Sequence, residues 1–161
     1  MIRAMKLSDI DAILEIYRLG LETGEASFEQ QVPDSETWQK KYLPIARLVW
    51  EQDSTAIGWA ALAPVSARDC YRGVTEISIY IHPDHQSRGI GSKLMQELVK
   101  ESEANGIWSL YSSIFPENSA TRKLHLRHGF REVGMRQRIA QQNGRWRDTL
   151  ILERRSTLVG L

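Results

Sequence analysis

The run from Glu76 to Leu98 constrains this chain more than any other stretch. Its opening, Glu76-Ile-Ser-Ile-Tyr-Ile81, is β-branched and aromatic and stops short of Pro83, which predicts a strand. Its close places Ile90, Leu94 and Leu98 at four-residue spacing with Met95 beside Leu94, which predicts an amphipathic helix. Between them lies a turn carrying Gln86, Ser87, Arg88, Gly89 and Gly91. A strand, a glycine turn and a helix start form an anion site. The first helical N–H groups lack partners, the helix dipole favours negative charge, and glycine lets the backbone come close. Arg88 could add a charge-assisted bond to phosphate.

Two phosphate motifs fail on spacing. A dinucleotide fingerprint needs a glycine three residues after Gly91, where Leu94 stands. A Walker A loop needs Gly-Lys-Ser/Thr, whereas Gly91 is followed by Ser92-Lys93. The pattern Gln86-x-x-Gly89-x-Gly91 after Ile-Ser-Ile-Tyr-Ile instead resembles the pyrophosphate loop of the GCN5-related N-acetyltransferases (GNAT).

The rest of the chain has the make-up of one domain, 1–161, with a weakly specified tail at 156–161. A hydrophobic fraction of 42% and a charged fraction of 25% suit a folded globule and not a disordered chain. The net charge of +1 makes no electrostatic case for nucleic acid or an anionic membrane. No apolar run approaches a membrane span, and the first residues lack a signal-peptide core. With the single cysteine, Cys70, excluding an internal disulfide, the expected location is cytoplasmic.

In chain order, Ile2–Met5 reads as a short strand. Ser8 or Asp9 caps a helix carrying Ile10, Ile13, Leu14, Tyr17 and Leu21, with Gly20 and Gly24 expected to end it. The stretch 25–33 has no period and holds Phe28, so it reads as a loop able to line a site. Asp34 or Ser35 caps a second helix closed by Pro44. Residues 45–51 and 55–62 read as a hairpin, and 64–73 as a polar loop. After the helix to Ala104, strands are expected at 107–114, 130–138 and 146–154 and a helix at 118–128, with Asn143-Gly144 as a hairpin turn.

The likeness extends over nearly the whole chain. Asn118, Leu124-His125 and Gly129-Phe130 look like the superfamily's second cofactor segment. Ala26-Ser27-Phe28-Glu29, Ala67-Arg68-x-x-Tyr71, Glu76-x-Ser78-x-Tyr80 and Gly144-x-Trp146-x-Asp148 together resemble the phosphinothricin and methionine sulfoximine acetyltransferases. That resemblance implies an α/β fold whose mixed, mostly antiparallel sheet of about seven strands is flanked by four helices and splayed at the cofactor site. It implies acetyl-CoA as co-substrate, no metal, and a homodimer. The acceptor would be the α-amino group of a small amino-acid-like compound.

By position, Ile79, Tyr80 and Ile81 would meet the acetyl-pantetheine arm. Gln86, Ser87, Arg88, Gly89, Ile90, Gly91 and Ser92 would hold the pyrophosphate, and Asn118 would bond the arm. Phe28, Glu29, Arg72, Thr75 and Glu76 would face the acceptor. Two departures fall in the acceptor region: Gln31 stands where a second acid is usual, and Val65 where an aromatic is usual.

The chemistry asks for these residue types. An amine attacks a thioester only when neutral, so Glu76 is the expected general base, with desolvation raising its pKa. A backbone N–H freed by a splayed strand would stabilise the oxygen that gains charge. His125 is the candidate donor to the departing thiolate, and a structural histidine is the alternative. His82, Asp84 and His85 beside Pro83 read as turn residues, and Cys70 lacks a base partner in sequence. Other readings are a GNAT enzyme for another amine, such as a polyamine or a protein N-terminus, and a non-catalytic acetyl-CoA-binding module. Arg68 and Arg72 argue against a polyamine.

Overall fold

A computed structural model describes residues 1–161. The chain begins with β1 (Ile2–Ala4), α1 (Ile10–Glu22) and α2 (Ser35–Lys41), followed by the hairpin β2 (Leu48–Gln52) and β3 (Thr55–Pro64). Next come β4 (Val74–Ile81), α3 (Ile90–Ala104), β5 (Ser109–Ile114) and α4 (Ser119–Arg127). A second hairpin, β6 (Arg131–Gln142) and β7 (Arg145–Arg155), closes the chain. The seven strands make one sheet in the order β1-β2-β3-β4-β5-β7-β6. Every neighbouring pair is antiparallel except β4 and β5.

The sheet is covered on both faces, so β3 reads as a continuous apolar run buried from Ala56 to Ala63. One face packs under α3, where Leu94, Met95 and Leu98 meet Ile57, Leu62, Ile77 and Leu110. The other packs under α1 and α2 around Tyr17, Trp38, Tyr42 and Trp59. Tyr80 joins that aromatic cluster, stacked on Trp59 with centroids 5.1 Å apart and tilted on Tyr17 at 4.8 Å.

Caps and turns follow side-chain chemistry. Asp34 accepts the Thr37 N–H at the start of α2, and Asn118 accepts the Thr121 N–H at the start of α4. The hairpin turns at Asp53-Ser54 and Asn143-Gly144 take positive φ at both residues, as two-residue hairpin loops require.

One expectation is corrected. Gly20 does not end the first helix, which runs on to Glu22. The absent Cβ serves packing instead: one built at Gly20 would lie 2.5 Å from Tyr80 Cδ1. The tail at 156–161, weakly specified by the sequence, makes contacts back to the domain. Ser156 is buried and bonds Glu103, and Arg155 Nη1 reaches the Val159 carbonyl at 3.0 Å.

Gly20→Ala therefore sets two effects against each other. Alanine gains about 1 kcal/mol over glycine in a helix, but forcing a methyl into a packed aromatic cluster costs about 1–3 kcal/mol. Net destabilisation is expected in urea unfolding at equilibrium.

Candidate active site

The parallel ladder between β4 and β5 spans only Val74↔Ser109 to Glu76↔Tyr111. Beyond it the strands part, while β4 stays paired to β3 as far as Ile81↔Gly58. The Gly73 carbonyl accepts from Trp108 and Ser109, and His82 N donates across to Ile57 O on the β3 side. Along an unbulged strand, backbone groups alternate sides. Tyr80 and Ser78 therefore turn their N–H and C=O to β3, and Ile79 and Ile81 turn theirs to the gap that β5 has left. The Ile81 carbonyl takes the Gln86 side-chain amide at 3.4 Å.

The gap opens a cleft of about 1250 Å³. The glycine turn lies at its rim. Gly89 has φ of +77° and no atom within 4 Å of the place a Cβ would take, and Ser87 also has positive φ. The first backbone bond of α3 runs from Lys93 N to Gly89 O, leaving the N–H groups of Ile90, Gly91 and Ser92 without intrahelical partners. This is an unencumbered anion cradle beside an unpaired strand edge, and it suits an elongated ligand with a phosphate at one end.

Glu76 lines the cleft just where the strands separate. Water reaches it, yet the surrounding walls desolvate it enough to raise its pKa. Lys41 opposes that rise and Glu29 adds to it. Glu29 accepts from the Tyr17 hydroxyl and from Lys41 Nζ, the latter at 2.9 Å, and Lys41 Nζ lies 3.3 Å from the Tyr17 oxygen. Desolvation pulls the Glu29 pKa up, but these two bonds leave it lowered. Desolvation likewise pulls Lys41 down, and its bond to Glu29 with nearby negative charge leaves it raised. Tyr42 Oη and Ser78 Oγ, 3.1 Å apart, complete this polar end.

His125 lines the cleft from α4 but is 4% exposed. Its Nδ1 lies 2.6 Å from the Thr121 carbonyl, which can only accept, so Nδ1 carries the proton. Nε2 is then a bare acceptor, buried and without a partner. Burial lowers the pKa, the bond to Thr121 O acting against it. The imidazole in this state accepts a hydrogen bond at Nε2 and has no proton there to give.

Ile79, Tyr80, Ile81, Gln86, Ser87, Gly89, Ile90, Gly91, Ser92, Asn118, Phe28, Glu29, Glu76 and His125 all line this one cleft. Asn118 spends its Oδ1 on the helix cap, and its Nδ2 lies 3.5 Å from Glu25 O. Phe28 is edge-on to Phe115 at 4.9 Å, which pins its loop to the wall.

Arg72, Thr75 and Arg88 stand outside the wall. The Arg72 guanidinium lies 5.5 Å from the Trp108 ring centre and contacts Asp69. Thr75 is buried with its hydroxyl unpartnered. Arg88 is exposed, with Nη1 3.4 Å from His85 Nδ1.

Sequence reasoning missed Tyr17 as a site residue and Lys41 altogether. A polar-tipped aromatic on the otherwise aliphatic stripe of α1 was the available signal for Tyr17. Nothing local distinguishes Lys41 from Lys40.

The model of the acetyltransferase (GNAT) family matches residues 10–130. The phosphinothricin N-acetyltransferase of Alcaligenes faecalis is 30% identical over 95% of this chain and 81% of its own. The L-methionine sulfoximine/L-methionine sulfone acetyltransferase of Salmonella typhimurium is 28% identical over 94% of this chain and 92% of its own. A solved phosphinothricin acetyltransferase from Sinorhizobium meliloti, in complex with acetyl-CoA, superposes with a TM-score of 0.89 at 27% identity, covering 99% of this chain and 90% of that one.

The tautomer assigned to His125 is open to direct test. Nitrogen NMR of the imidazole is expected to show a neutral ring protonated at Nδ1, titrating below the ordinary value of 6.5. A neutral ring protonated at Nε2 would contradict the assignment.

Proposed function

We propose, for a chain that belongs to the acetyltransferase (GNAT) family, that the cleft transfers an acetyl group from acetyl-CoA to the α-amino group of a small amino-acid-like acceptor. Phosphinothricin, methionine sulfoximine and related methionine derivatives are the acceptor class we favour. The activities for which the relatives are named support it, as does the loop bearing Phe28 and Glu29 at the acceptor end. The observation that carries the reading is the meeting of Glu76 with the open edge of β4 in one cleft.

The residues divide the work. The N–H groups of Ile90, Gly91 and Ser92 suit the diphosphate of the coenzyme, and Asn118 Nδ2 and the Ile79 and Ile81 backbone suit its amide-bearing arm. When bound, the coenzyme supplies an acyl group activated as a thioester. Glu76 takes the proton of the acceptor's ammonium, directly or through water, so that the amine is nucleophilic. Its raised pKa brings its basicity toward that task. A β4 amide turned to the gap suits the oxygen that gains negative charge. His125 Nε2, an acceptor in the tautomer that the bond to the Thr121 carbonyl requires, does not serve as the proton donor from this state.

Glu76→Gln is expected to lower turnover about 10²–10⁴-fold while leaving coenzyme affinity little changed; a non-catalytic coenzyme-binding module would have no turnover to lose. The variant should not owe its loss to unfolding. A carboxyl whose pKa is raised on folding contributes stability below its unfolded pKa, and that contribution is lost as pH rises through the folded pKa. Removing the charge therefore leaves the variant at least as stable as the parent at neutral pH, with the two converging in acid. Urea unfolding at both pH values reads this sign. A wild-type protein that released no free CoA with a broad panel of amino acids and glutamate analogues would contradict the proposed reaction.

We infer also a homodimer through the β6–β7 hairpin. Val133, Met135, Ile139 and Trp146 are each about half exposed there, more apolar surface than a hairpin leaves to water without a partner. Light scattering is expected to give twice the 18.5 kDa chain mass, and a monomer mass would sink this inference. No helix is long and apolar enough to cross a membrane, and we place the enzyme in the cytoplasm.

A further inference from the structure

Within the stretch Gly144-x-Trp146-x-Asp148, the position before the aspartate is Arg147. This side chain on β7 is 7% exposed. Nη1 donates to Gly24 O and to Gln142 Oε1, each at 2.7 Å. Nη2 donates to Glu25 Oε2 at 3.0 Å and to Glu117 Oε2 at 3.4 Å. The guanidinium carbon lies 3.6 Å from the centre of the Phe115 ring, the ring that Phe28 meets edge-on. Arg147 does not line the cleft; it stands behind the wall.

A buried cation costs several kcal/mol unless charge and donors are met. Here two carboxylates, a carbonyl and an amide oxygen meet Nη1 and Nη2, while Nε is buried without a partner. Apart from Gln142 on the neighbouring strand, those partners belong to two segments far apart along the chain: the loop after α1, and the Phe115–Asn118 stretch before α4. The loop has no helix or strand of its own between Thr23 and Asp34. The segment before α4 is anchored independently, because Asn118 caps its helix and its amide bonds Phe115 O at 3.0 Å. Its bond to Arg147, through Glu117, is also the longest of the four.

We propose that Arg147 is a positioning residue that fastens the Gly24–Glu29 loop, and with it Phe28 and Glu29, against Phe115 and Glu117, and so sets acceptor affinity. The proposal rests on the acetyltransferase reading for its kinetic part. The asymmetry of anchoring gives it a signature: loss of Arg147 loosens the acceptor side and leaves the coenzyme side in place.

The test uses the full chain with Arg147→Met, Arg147→Lys and Glu25→Gln. Acceptor KM, coenzyme Kd and amide hydrogen exchange over residues 24–29 are measured for each. Arg147→Met is expected to raise acceptor KM about tenfold or more, as loss of charge-assisted bonds does. Exchange in the loop should speed up while coenzyme Kd changes little. Arg147→Lys should recover part of the loss, and Glu25→Gln should fall between parent and Arg147→Met. Wild-type KM and exchange in Arg147→Met overturn the proposal. So does a fall in kcat at unchanged KM that lysine does not relieve. If Arg147→Met does not fold, the other two variants carry the same measurements, and wild-type KM and exchange in both overturn the proposal in the same way. If the parent acetylates no amine, the catalytic reading fails, and the exchange comparison still decides whether Arg147 holds the loop.

Discussion

The cleft exists because β4 loses its partner partway along its length. The stretch of its edge without a strand partner, Ser78–Ile81, is only partly buried and faces the cleft. The chain tolerates the parting because β4 is fully paired to β3 and packed on both faces, by α3 on one side and by the Tyr17–Trp59–Tyr80 cluster on the other. The opened edge then presents backbone donors and acceptors at Ile79 and Ile81 where a ligand can use them. Gly89 and the free N–H groups of α3 extend the same logic to the rim. Both features are backbone groups left unsatisfied by one element and offered to another molecule.

Electrostatics at the acceptor end follow from the same geometry. Glu76 sits at the point of separation, where the walls remove solvent but Lys41 stays near enough to keep its carboxyl from drifting further up. Glu29, kept ionised by its bonds from Tyr17 and Lys41, pushes the Glu76 pKa the other way, upward. Lys41 from α2 and Glu29 from the loop thus act on one carboxylate in opposite senses. That makes the loop's position a chemical matter as well as a steric one.

Much of this was legible in the sequence, and for identifiable reasons. The β4–turn–α3 unit is local: strand, glycines and helix follow one another, so period and turn chemistry reveal it. The same holds for the Asp34 and Asn118 caps and the Asn143-Gly144 hairpin. Gly20 misled because a glycine in a helical stripe reads as a terminus, whereas here it makes room for a ring on a strand far along the chain. Arg72, placed at the acceptor by resemblance, stands outside the cleft wall, its guanidinium 5.5 Å from the centre of the Trp108 ring. Lys41 and Arg147 gave no local signal. Each acquires its partners only when loop, helix and strand are brought together, which no periodicity encodes.

The proposed chemistry stands or falls with the open edge of β4 and the turn before α3 receiving the coenzyme. Amide-resolved NMR during titration with acetyl-CoA tests this most directly. The N–H groups of Ile79, Ile81, Ile90, Gly91 and Ser92 are predicted to shift and gain exchange protection on binding, while those of Ser78 and Tyr80, already turned to β3, change least. Binding that left the first set unmoved, or that perturbed both sets alike, would contradict it.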